Sequence, residues 1–71
     1  MYNIYIMKTI QIRDSAIVVD KIVGWEAVNE LRAYILHIFV IGSEDPFSYF
    51  FHDFDDREIV IDKLRGFIKE I

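Results

Sequence analysis

Two consecutive segments, residues 32–41 and 47–54, are apolar in both phases of a two-residue period, and this limits the fold more than any other feature of the chain. In the first, Ala33, Ile35, His37, Phe39 and Ile41 alternate with Tyr34, Leu36, Ile38 and Val40. In the second, Phe47, Tyr49, Phe51 and Asp53 alternate with Ser48, Phe50, His52 and Phe54. Such β-branched and aromatic runs, separated by the turn-forming stretch Gly42-Ser43-Glu44-Asp45-Pro46, predict a β-hairpin. A sheet with one wet side alternates apolar with polar residues. This hairpin needs cover on both faces.

The C-terminal residues offer some of that cover. Asp55 and Glu58 have the spacing of a capping box, and Phe54 and Ile59 flank that cap as a hydrophobic staple. Val60, Ile61, Leu64, Phe67, Ile68 and Ile71 then recur at helical spacing as one apolar stripe. Acids (Asp55, Asp56, Glu58) crowd the start and bases (Lys63, Arg65, Lys69) the later turns, as the helix dipole favours.

Two further strands precede the hairpin. Residues 2–12 alternate through Ile4, Ile6, Ile10 and Ile12, broken once at Lys8, and Asp14-Ser15 reads as a turn. Residues 16–28 read as a strand with a bulge or kink between Asp20 and Gly24. The expected fold is therefore α+β, a single domain over residues 1–71. It consists of a four-stranded antiparallel meander, strongly twisted or curled into a half-barrel, with one C-terminal amphipathic helix packed on it.

Size turns that fold into a functional expectation. A helix of the expected length is about 25 Å long and about 10 Å wide, whereas four strands span roughly 19 Å. One helix therefore shields part of one face. Either the sheet curls to enclose its second face, or the uncovered face meets a protein partner, with a symmetric homo-oligomer the expected form. The residues expected at that contact are Tyr34, Leu36, Ile38, Phe50 and Phe54, or Phe39 and Phe51 on the reverse face. Gly66, off the apolar stripe, is a second place where another chain could approach closely.

Charge and composition bear on the alternatives. The formal net charge is −4 and the bases are scattered, so direct binding to nucleic acid is not expected. Tyr49, Phe50, Phe51 and Phe54 lack the basic groove that accompanies base-stacking platforms. The carboxylates Glu44, Asp45, Asp53, Asp56 and Glu58 instead suggest a negative edge. That edge would suit an acidic inhibitor, such as phages encode, that fills the basic groove of a nucleic-acid-handling protein. A third reading is a small metal-dependent hydrolase built on His52, Asp53, Asp55 and Asp56, with His37 across the hairpin. Asp55 and Asp56 already suit the helix start, and the serines have no glycine-flanked elbow or evident base, so a non-enzymatic protein without cofactor or metal is expected. The absence of cysteine, of a leader and of a long apolar run fits a cytoplasmic protein outside the membrane, with Met1 or Met7 as its start.

Overall fold

The computed structural model describes residues 8–68. In chain order these form β1 (Thr9–Ile12), β2 (Ser15–Val18), a 3-10 turn (Val19–Lys21), β3 (Ile22–Glu30), β4 (Ala33–Val40), β5 (Phe47–Phe51) and α1 (Phe54–Arg65). The class is α+β with antiparallel pairing throughout.

The strands make two sheets, β1-β2 and β3-β4-β5, and not the expected four-stranded meander. The cause lies in the segment expected to be one kinked strand. The 3-10 turn at Val19–Lys21 cuts it, so that its first part pairs back on β1 and its second part pairs forward with β4. The irregularity expected near Gly24 is present as a register shift between Ile22 and Gly24. Of the first expected strand, residues 2–7 lie outside the described residues.

The β1-β2 hairpin turns at Arg13 and Asp14, with Ile12 opposite Ser15. Arg13 has φ +55°, a left-handed conformation that costs a residue with a Cβ roughly 1–2 kcal/mol. Its side chain reaches β5. The guanidinium donates to the Phe50 carbonyl and lies 4.5 Å from the centre of the Phe51 ring, tying the hairpin tip to β5.

α1 starts two residues earlier than the expected capping box. Asp53 is the N-cap, its carboxylate accepting from the Asp55 N–H at 2.9 Å. Phe54, expected in a staple with Ile59, instead meets Tyr34 edge-on with ring centres 5.5 Å apart. The helix runs for 12 residues, about 18 Å, and buries Val60, Ile61 and Leu64. Beyond it, Ile68 still packs on the core and its carbonyl accepts from the Trp25 indole N–H at 3.3 Å, while Phe67 is exposed. Ile71 lies outside the described residues.

Both the helix and the small hairpin contribute to a single core. Ile10, Ile12 and Ile17 from the hairpin join Val60, Ile61 and Leu64 from the helix over Trp25, Leu36, Ile38, Tyr49 and Phe51. The cross-strand partners Trp25–Ile38, Leu36–Tyr49 and Tyr34–Phe51 put those sheet residues on one face. The hairpin thus covers the part of this face that a short helix leaves bare.

Arg57 fastens helix to sheet from within. Its side chain is buried, with only 4% exposed, yet it carries a charge. Nη1 donates to the Val28 carbonyl at 3.1 Å and to Asn29 Oδ1 at 2.6 Å, where β3 approaches its turn into β4. The guanidinium also lies 5.4 Å from the Tyr34 ring centre and 5.3 Å from that of Phe54. Glu58 Oε2 stands 3.4 Å from Nε and supplies countercharge, although Nε has no acceptor in hydrogen-bonding geometry.

Candidate functional site

The register that defines the covered face also defines its opposite. Val28, Ile35 and Phe50 form one row across β3, β4 and β5, Glu26, His37 and Ser48 a second, and Gly24 with Phe39 a third. None of these residues belongs to the core cluster that α1 and the β1-β2 hairpin complete. Phe50 is 55% exposed; Val28, Glu26, His37 and Phe39 are half-buried. Ile35 is buried, at 3% exposure, although it stands apart from the core.

The middle row joins two polar side chains that no sequence pattern linked. His37 Nδ1 lies 2.7 Å from Ser48 Oγ, and Glu26 is the residue opposite His37 on the other side. Sequence reasoning found no base near any serine, because pairing across a hairpin depends on a register the sequence does not fix. Glutamate, histidine and serine are the residue types of acyl transfer. Here they stand in line on a pleated surface, where the contact with Ser48 fixes the His37 ring against β5. The row gives an apolar face a polar, directional centre.

The residues expected at a contact divide between the two faces. Leu36 and Ile38, both 0% exposed, and Phe51 lie in the core beneath the helix and hairpin, and Tyr34 packs against that core. Phe39 and Phe50 lie together on the open face. Phe54, 43% exposed, opens α1 at the end of the sheet beside Tyr34. The register therefore exchanges the expected partners: Phe50 groups with Ile35 and Phe39, and Phe51 with Tyr34, Leu36 and Ile38.

The expected acidic edge is likewise divided. Glu44 and Asp45 are exposed in the β4–β5 loop, while Asp53, Asp56 and Glu58 lie past the other end of β5, a strand length of about 17 Å away. Asp53 is engaged as a helix cap and Glu58 with Arg57. Among the described residues, no three of the histidine, aspartate and glutamate side chains come close enough to hold a metal ion. Nor, among those residues, is any helix long and apolar enough to cross a membrane. No protein-family model, curated protein or solved structure matches this chain, and its own geometry carries the functional reading.

Proposed function

We propose that this protein is a small non-enzymatic interaction module that associates with a second copy of itself through the open face of β3-β4-β5. The observation that carries the reading is one-sided packing: helix and hairpin both join the core on the Leu36–Ile38 face, and on the opposite face Phe50 stands 55% exposed, with Phe39 half-buried and outside the core cluster among the described residues. The charge distribution favours a like partner. The chain is acidic overall, but the open-face residues of β4 and β5 include no carboxylate; those of β3 are Glu26, opposite His37, and Glu30 at the strand's end, so two copies that meet on the β4-β5 side avoid like-charge repulsion. The acidic-inhibitor reading has less support, because two of its five carboxylates are occupied within the fold and the rest are split between the ends of β5.

Light scattering on the purified chain across the micromolar range tests the proposal. A dimer is expected, and Phe50→Asp is expected to return it to a monomer with an unchanged far-ultraviolet spectrum. A wild-type monomer at every concentration, or a Phe50→Asp protein that remains dimeric, would overturn the reading.

A further inference from the structure

We propose that the free edge of β2 is a docking site for an extended apolar segment of a partner protein, which adds to it as a strand and sets an acidic group against Lys21. This site stands apart from the open face and does not depend on it.

The main chain supplies the first argument. The Val19 N–H donates to the Lys8 carbonyl at 2.9 Å, which fixes the alternation of the β1-β2 ladder. Ile10–Ile17 and Ile12–Ser15 are then the hydrogen-bonded pairs, and Gln11–Ala16 and Thr9–Val18 the pairs whose main-chain groups point outward. The Val18 carbonyl begins the 3-10 turn. That leaves the Ala16 N–H, the Ala16 carbonyl and the Val18 N–H on the outer edge, without a hydrogen-bond partner among the described residues. Such a row is a template for another strand.

The surroundings supply the second. Outside β2 lies a groove of 480 Å³, with Ser15–Val18 as one wall and Ile41, Phe47 and Tyr49 on the other. Ile41 and Phe47 are large, apolar and exposed, at 67% and 50%. A strand edge facing apolar pockets is the arrangement used in β-augmentation, where the ladder supplies affinity and alternate side chains supply specificity. Lys21 is the charged side chain lining the groove, it is exposed, and it makes no ion pair among the described residues. An acidic side chain or a terminal carboxylate complements it.

The contrast with the neighbouring edge is the third. On β5 the Arg13 guanidinium occupies the main-chain carbonyl of Phe50. β2, with the sequence Ser-Ala-Ile-Val, has no charge, proline or bulge to discourage pairing.

A random twelve-residue peptide library displayed on phage, selected against the full chain, is the probe. Enriched sequences are expected to alternate apolar residues and to carry an acidic one. The synthetic form of the strongest should bind Ala16→Pro about tenfold more weakly, since proline removes the outward N–H and leaves the β1-β2 ladder intact. Ala16→Val and Phe50→Asp should bind like wild type, and Lys21→Glu should bind severalfold more weakly. Hydrogen exchange on the unaltered protein guards against misfolding of the proline variant: bound peptide should slow the Ala16 and Val18 amides. Failure to enrich any such sequence, equal binding to Ala16→Pro, or exchange at those two amides unchanged by bound peptide would each overturn the proposal, and none of these results bears on the open face.

Discussion

The two faces of β3-β4-β5 are built from similar residues and differ in what lies over them. Leu36 and Ile38 on one face, and Ile35 and Phe39 on the other, are interleaved along a single strand, so composition does not separate them. The hairpin and α1 separate them, because both dock on the Leu36 side. Membership of the core is therefore set by which elements share a face: Leu36 and Ile38 belong to it, whereas Ile35, though only 3% exposed, and the half-buried Phe39 do not.

Truncation should expose that difference most sharply. Leu36→Ala removes a fully buried side chain and is expected to cost about 2–5 kcal/mol, enough to leave so small a chain largely unfolded. Phe50→Ala, measured by urea denaturation at concentrations below association, should cost less than about 1 kcal/mol. Equal losses at the two sites would erase the distinction between the faces.

The next effect concerns what holds the cover in place. Arg57→Ala should cost about 2–4 kcal/mol by the same measurement, since it strips the Val28 carbonyl and Asn29 of a charged donor and removes the side chain between Tyr34 and Phe54. Arg57→Lys should recover only part of that loss, because an ammonium lacks the planar fork. Full recovery by lysine would show that charge alone fastens the helix.

Smaller effects come from the ends of the helix. Asp53→Ala should cost about 1 kcal/mol through loss of the cap, whereas Asp55→Ala should cost clearly less, which a pair of thermal melts would resolve. Gly66→Ala is expected to stabilise by roughly 0.5–1 kcal/mol. Gly66 is right-handed at φ −68°, and an added Cβ would meet only the Lys63 carbonyl oxygen at 3.5 Å, an ordinary contact. A loss at Gly66 would instead indicate that another chain approaches there.

Much of this architecture was legible in the sequence, and the misses have identifiable causes. The hairpin of β4 and β5, the terminal helix and the inward set Ile10 and Ile12 follow from period and turn residues alone. The division into two sheets does not, because Asp20-Lys21 suits a bulge as well as it suits a 3-10 turn. The cap was ambiguous since Asp53 with Asp56 and Asp55 with Glu58 share the same acidic spacing. Grouping of Phe50 and Phe51 failed for want of a register, and a shift of one residue exchanges every side chain between faces. Arg57 gave no signal at all: two of its hydrogen-bond partners, Val28 and Ile35, accept through main-chain carbonyls, which no side-chain pattern records.

Sedimentation equilibrium of the wild-type chain beside Phe50→Asp and Phe54→Asp puts the central claim to its most direct test. Wild type and Phe54→Asp should both sediment at twice the 8.5 kDa of a single chain, and Phe50→Asp at the single-chain mass. A wild-type protein that stays at the single-chain mass, or a dimer broken at Phe54 and untouched at Phe50, would contradict it.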